Sequence, residues 1–332
     1  MPFTGGDIIN NAAIAIEQRV TSRWQQVWTS GHPVLRIIEE KKTNFNTMGL
    51  NRLALILPII GENQTNAAAG VATGSGELVA MTYNISNGLA QFKYYAGHYR
   101  ANYVLLATDK KALMNGERGN LLEAKANQML AGIHDVFSSH LSSTTADQAD
   151  NSRALGLYQV LSTSNTVGTI SQTTDPAVAA YVKTSAGTFA LDLVDDMLDT
   201  LNSKTQGNIA RKGKVDVLLC SVYSGNNVYG KVRNSIAPAE RFENKDYTVK
   251  YGIENFVYRG AMGVIDQRIG STLSGSIAGL ATDTWWVHLE KQPEMHAPVK
   301  IPGTDGYEYV GTAFNAVGCH DPGLNGLIRD IS

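Results

Sequence analysis

Four groups of residues have the types that chemistry needs, and their spacing decides what each can do. Cys319, His320 and Asp321 set a nucleophile, a base and an acid side by side. Catalytic partners must converge in space, whereas neighbours on an extended chain point to opposite sides, so this order argues against a triad. Asp192, Asp195, Asp196 and Asp199 recur at intervals of three, one and three, which gathers carboxylates on one side of a helix where a hard cation would find oxygen ligands. Leu191, Val194, Leu198 and Leu201 fill the complementary face, so the acids stand where a solvated face belongs and no metal is expected. The glycines of 70–76 lack the following Lys-Ser/Thr of a phosphate loop and the strand-to-helix setting of a dinucleotide turn. Lys93, Tyr94, Tyr95, His98, Tyr99 and Arg100 interleave basic and aromatic side chains, a pattern that suits stacking on nucleic-acid bases and equally a strand packed on one face.

The remaining reactive groups are scattered. His134 and His140 lie six apart, about 120° from facing each other on a helix, and no histidine pair has metal-ligand spacing. Cys220 ends the run Val217–Cys220 and reads as a small apolar core residue. No catalytic residue, metal or cofactor is therefore expected. The two cysteines make neither a disulfide framework nor a zinc motif and imply reduced thiols in a cytosolic product.

Composition narrows the function classes. The 332 residues are 43% hydrophobic, enough for one large domain or two smaller ones with a real core. Lys plus Arg is 28 and Asp plus Glu 30, a net charge of −2, so no strong field draws the chain to nucleic acid or an anionic membrane, and a sequence-specific DNA reader is excluded. The aliphatic run Leu53–Ile60 is too short to span a bilayer, and Met1–Asn11 lacks the pattern of a secretory signal, which leaves Asn63 and Asn84 of the two NxS/T matches without meaning. With 17% charged residues and 32 glycines, the surface suits extensive protein contacts.

The elements that must position these groups follow from periodicity. A helix is expected over Asp7–Trp28, where Ile9, Ala13, Ile16, Val20, Trp24 and Val27 recur at helical spacing; Trp24 and Trp28 are either core of that segment or anchors on a neighbour. Pro33 is expected to stop this helix, and 34–45 reads as a charged connector. Leu53–Ile60 reads as a strand, and Leu78–Ile85 with Leu89–Tyr95 frame an Asn87-Gly88 turn, giving a projecting hairpin with Tyr99–Ala107 as return strand. Two such strands with little apolar surface are not stable alone, so Met81, Tyr83, Ile85, Phe92 and Tyr94 are expected to pack on another subunit. From Gly119-Asn120 to the Ser/Thr cluster at 138–145 runs one long amphipathic helix with a stripe of Leu122, Ala126, Met129, Ile133, Val136 and His140, kept slim by Ala124, Ala126, Ala131 and Gly132. Beyond it come a short piece at 154–162, a polar loop at 163–176, a helix over 189–201, a buried strand over 214–221, a loop over 223–232, and strands at 247–253, 258–265, 284–289 and 307–314. Trp285 and Trp286 point to opposite faces, so at most one is core. The order is α+β, not alternating βαβ, and no internal repeat is present.

An N-terminal arm, a weakly packed hairpin, one long helix and a compact α+β region, in that order, resemble the major capsid protein of tailed bacteriophages, the shell fold shared with encapsulins. The residues that carry the resemblance are Tyr103–Met114 leading into a spine helix up to Leu141, Gly156–Val160 after it, Leu191–Leu201 with Val215–Tyr223 as axial-domain helix and strand, and Tyr258–Arg268 as a strand leading to an exposed loop. The resemblance implies an arm and connector over 1–50, an extended hairpin loop over 51–107, a peripheral domain with the spine helix over 108–165 and 283–315, and an axial domain over 166–282 and 316–332. It implies a structural subunit, not an enzyme, that self-assembles into hexamers and pentamers of an icosahedral shell around double-stranded DNA in the virion, after synthesis in the host cytoplasm. The arm starts within a few residues of Met1, so scaffolding would come from a separate protein or be unnecessary; portal and decoration proteins are further implied partners. An encapsulin-like protein compartment and a soluble α+β enzyme are the alternatives.

Overall fold

Pro33 begins a helix. The computed structural model of the chain describes residues 32–41, 45–46, 54–60, 85–91, 93–101, 121–143, 155–167, 170–204, 213–223, 225–236, 254–266, 268, 273–296, 299–303 and 307–332. The helix expected over 7–28 with Trp24 and Trp28, the hairpin residues Met81 and Tyr83, Phe92, residues 102–120 and the strand expected over 247–253 lie outside these. Helix α1 spans Pro33–Lys41, with proline at the first helical position, where a missing N–H costs no hydrogen bond and φ is already helical. Val34, Leu35, Ile37 and Ile38 are at most 2% exposed. The connector expected over 34–45 is thus a core helix, its short apolar face masked in the sequence by the charges that follow it.

Strand β1 (Phe45–Asn46) leads to β2 (Ala54–Ile60), which pairs antiparallel with β3 (Ile85–Gln91) from Ala54 opposite Gln91 to Ile60 opposite Ile85. The expected Asn87-Gly88 turn does not form: Asn87 lies opposite Pro58 and Gly88 opposite Leu57, in mid-strand. Asn-Gly favours a turn only where its two flanks pair with each other, and here the 54–60 run competes for the same residues. The return strand β4 (Lys93–Ala101) starts six residues earlier than expected and pairs along its length with residues 307–315.

Helix α2 covers Leu121–Leu141. Its buried stripe is Ala126, Leu130, Ile133, Phe137 and Leu141, whereas Val136 is 47% exposed and Met129 and His140 are half-buried. Among the described side chains the expected stripe shares Ala126 and Ile133 with it; periodicity fixes the period of a helix, while the bulk of Leu130 and Phe137 fixes its phase. Ala124, Ala131 and Gly132 face solvent. Close packing comes from the opposing strands: a Cβ on Gly97 would stand 3.1 Å from Ile133, and one on Gly311 2.6 Å from Met129 Cε.

After α3 (Leu157–Val160) come the two-residue strands β5 (Thr166–Val167) and β6 (Ile170–Ser171) inside the expected loop, then β7 (Tyr181–Lys183). Helix α4 (Leu191–Ser203) buries Val194, Met197, Leu198 and Leu201, close to expectation. Strand β8 (Val217–Tyr223) runs on through β9 (Asn226–Asn227) into helix α5 (Val228–Ser235), where a loop was expected; the Asn227 side chain accepts from the Gly230 N–H and caps it. The strand expected over 258–265 is a hairpin, β10 (Asn255–Tyr258) and β11 (Ala261–Asp266). Arg259 and Gly260 both have positive φ, at 50° and 83°, which matches the twist of a two-residue hairpin turn. Strands β12 (Ile277–Leu280), β13 (Trp285–Met295), β14 (Val299–Lys300), β15 (Tyr307–Cys319) and β16 (Gly326–Ile328) complete the chain.

Two large sheets hold most of these strands, while β2–β3 and β5–β6 are two-stranded sheets of their own. The larger has the order β10-β11-β8-β12-β16-β7 with β9 on β8; the other runs β1-β13-β15-β14 with β4 on β15. One apolar core joins α1, α2 and α3 to both sheets, through Leu35, Phe137, Val160, Val217, Trp285 and Val317 among others. A second lies under α4 and α5.

Candidate functional site

Cys319 ends β15, His320 and Asp321 follow it, and the side chains of Cys319 and His320 go to separate partners. Cys319 Sγ lies 3.6 Å from Thr284 Oγ1 and accepts from Asn325 Nδ2 at 3.7 Å. The residue is 2% exposed, and burial pushes its thiol up to about 12, so it stays protonated and is no nucleophile. His320 turns the other way: its Nδ1 accepts the indole N–H of Trp286 at 2.8 Å, and burial lowers its basicity. Trp285 is fully buried and Trp286 half-buried, on opposite faces as their adjacency requires. Replacing Cys319 or His320 by Ala is expected to leave the chain folded, at a cost of about 1–2 kcal/mol in urea unfolding for the lost packing. A loss above about 4 kcal/mol would give this corner a role beyond packing.

The hub of the same corner is Asn325, which the sequence does not single out. Fully buried, it accepts from the Ala281 N–H and the Trp285 indole N–H, each at 3.0 Å, and donates to Thr284 Oγ1 at 3.1 Å and the Asp321 carbonyl at 3.0 Å. These bonds tie the start of β13 and the end of β15 to the segment that opens β16.

Two of the acids of α4 hold an arginine. Arg259, raised on the β10–β11 turn, reaches Asp195 at 3.0 Å and Asp199 at 2.5 Å, and the Tyr258 hydroxyl donates to Asp195 at 2.8 Å. Hydrogen bonds to Asp199 and Asp195 raise the guanidinium's affinity for its proton. Asp196 faces Lys183 at 3.7 Å across an exposed gap. Among the described residues no three His, Cys, Asp or Glu side chains are placed to share a metal ion. Cys220 lies at the centre of the larger sheet, fully buried, with its thiol pushed up by burial.

The basic and aromatic residues at 93–100 form β4, paired throughout with β15. Arg100 spends its charge on Glu308 at 3.3 Å. Between β4 and α2 lies an open groove of about 580 Å³, lined by Gly97, His98, Lys125, Met129, Ile133 and Val136 among others. Of the seven residues expected at subunit contacts, Trp24, Trp28, Met81, Tyr83 and Phe92 fall outside the described residues; Ile85 stands in β3 opposite Ile60, and Tyr94 in β4 opposite Phe314. No described helix is long and apolar enough to cross a membrane.

No protein-family model matches the sequence, and no curated protein matches it either. Solved structures do. The cyanophage A-1(L) capsid asymmetric unit holds a chain 14% identical to this one, superposing with a TM-score of 0.64 over 86% of this chain and 90% of that one. The capsid of the native GTA particle matches at 12% identity and a TM-score of 0.58, over 89% and 91% of the two chains. A structure from Mycobacterium phage Bobi matches at 12% identity and a TM-score of 0.51, over 88% and 90%. At such identities the likeness is one of fold, and it extends over most of both partners in every pair: the α+β fold of this chain is the phage-capsid fold.

Proposed function

We propose that the chain is a major capsid protein, the subunit of an icosahedral shell that assembles through hexamers and pentamers and encloses double-stranded DNA. The observation that carries the reading is the extent of the likeness, 86% of this chain against 90% of a cyanophage capsid chain, which is a whole capsid fold and not a shared fragment. In this reading α2 and the sheet around β13 and β15 form the peripheral domain, 108–165 with 283–315, and the sheet around β8 forms the axial domain, 166–282 with 316–332. The arm, 1–50, and the loop, 51–107, reach neighbouring subunits, with Trp24, Trp28, Met81, Tyr83, Ile85, Phe92 and Tyr94 as the contacts. The subunit has no catalytic duty and needs no cofactor. A separate scaffolding protein, a portal and decoration proteins are its candidate partners, and the virion is its place of work.

Electron microscopy of the purified protein tests this: closed shells with five- and six-fold clusters are the expected result, and small oligomers alone would overturn it. Shells that hold protein and no nucleic acid would favour the encapsulin-like alternative. DNA contacts should be blind to sequence, because a chain of net charge −2 meets phosphate through weak, salt-sensitive contacts. Gel shifts with unrelated duplexes are expected to superpose; a preference above about tenfold, roughly 1.4 kcal/mol, would contradict this.

A further inference from the structure

Four polar side chains meet in the core where α1, the end of α2, α3 and β11 come together. His32, Ser142, Tyr158 and Asp266 are 0%, 5%, 3% and 1% exposed. The Ser142 hydroxyl lies 3.3 and 3.1 Å from the two Asp266 carboxylate oxygens, the Tyr158 hydroxyl donates to Oδ2 at 3.1 Å, and the Arg268 backbone N–H donates to Oδ1 at 2.9 Å. The Ser142 hydroxyl gives its single hydrogen to this carboxylate. His32 Nε2, 3.2 Å from the same hydroxyl oxygen, is then the donor to it. That assigns the neutral tautomer with a bare Nδ1, and among the described residues this buried nitrogen has no hydrogen-bond partner.

The pocket thus accommodates one imidazole proton and resists a second. A proton on Nδ1 would add a charge to a buried ring and a second donor with no acceptor among the described residues. The groups around the ring divide. Burial opposes the charge most strongly, the Asp266 carboxylate favours it, and the Arg268 guanidinium, itself paired with Asp135 of α2, opposes it. Tyr158 of α3 stays protonated beside Asp266, and so does the buried Cys220 thiol of β8. From α1 itself, Arg36 lies one turn on, its N–H bonded to the His32 carbonyl.

We propose that His32, Ser142 and Asp266 form an acid-operated clasp that holds α1 to the two-sheet body and loosens when His32 takes up a proton. The sign follows from linkage. An undocked His32 titrates near 6.5 and the docked one lower, so docking is indifferent to pH above that value and weakens as pH falls below it, by at most about tenfold per pH unit for one proton. The clasp is a property of the folded subunit and operates whether or not subunits build a shell.

Hydrogen exchange by mass spectrometry on the full chain, corrected for the intrinsic pH dependence of amide exchange, tests the clasp. The opening constant of residues 33–41 should be flat from pH 7.5 to 6.5 and rise up to about tenfold from 6.5 to 5.5, while α4 stays unchanged. His32→Gln, which keeps a side-chain donor and cannot titrate, should abolish the rise. No rise in the wild type, or the same rise in His32→Gln, would overturn the clasp. Should the variant fail to fold, histidine-labelled wild-type protein gives the same answer by NMR: the His32 ring must remain neutral below pH 6.5 while α1 is protected, and a ring that charges at or above 6.5 with α1 still protected would refute it.

Discussion

Replacing residues 61–84 by a two-residue Asn-Gly turn should leave a folded subunit that no longer builds closed particles. Ile60 and Ile85 are register partners at the end of the β2–β3 pair, so a two-residue turn closes the ribbon without shifting any other pair, and its positive φ values match the strand twist. The cut must stop at Asn84, because Ile85 opens β3. The two apolar cores are drawn from α1 to α5 and the two large sheets, and those should keep their melting cooperativity. The excised segment carries Val71, Leu78, Val79, Met81 and Tyr83. Buried on a neighbour, each large side chain would contribute on the order of 1.5–3 kcal/mol, and a closed shell repeats that contact at every subunit. Thermal unfolding and electron microscopy read the two halves of the prediction separately. A shortened protein that melts early and broadly would make this segment part of an ordinary core, and one that still closes shells would remove it from assembly.

What the sequence discloses, and what it hides, divides along the range of the interactions. Helix α4 was legible because its apolar and acidic residues segregate at one period, and the limits of α2 because Asn120 and the serines after Phe137 mark its ends. Its buried face was not: Leu130 and Phe137 take the core while Val136 stays exposed, and Gly97 and Gly311 let the helix approach β4 and β15 closely, a fact held by strands far away in the chain. Asn87-Gly88 carries a strong local turn signal that a better-matched strand partner overrides, whereas Arg259-Gly260 carries a weak one that tertiary pairing of β10 with β11 enforces. Pro33 is ambiguous by nature, since a proline can stop a helix behind it or start one ahead. The fold class was readable from the order of elements, without any motif. The partner of Asp195 and Asp199 on α4, Arg259, lies 60 or more residues away in sequence, and the cluster of His32, Ser142 and Asp266 spans still longer separations that no local pattern reveals.

Asn325→Ala should be among the costliest single changes in the chain, although nothing in its sequence neighbourhood marks it. The amide is 0% exposed and uses both ends at once. Removing it strands the Ala281 N–H and the Trp285 indole N–H, and a buried donor left without an acceptor costs about 1–3 kcal/mol, so the pair sums to about 2–6 kcal/mol, a large share of the roughly 5–15 kcal/mol that holds a typical domain together. Asn325→Asp separates the two halves of the amide. A carboxylate still accepts from Ala281 and Trp285 but faces the Asp321 carbonyl, 3.0 Å from the present Nδ2, with no hydrogen to offer, so this variant should be unstable at neutral pH and recover as the carboxyl is protonated. Urea unfolding with an unchanged m-value is the measurement. A loss below about 1 kcal/mol in Asn325→Ala would mean that the backbone or a water satisfies both donors, and that the corner joining β13, β15 and β16 is held by its apolar packing alone.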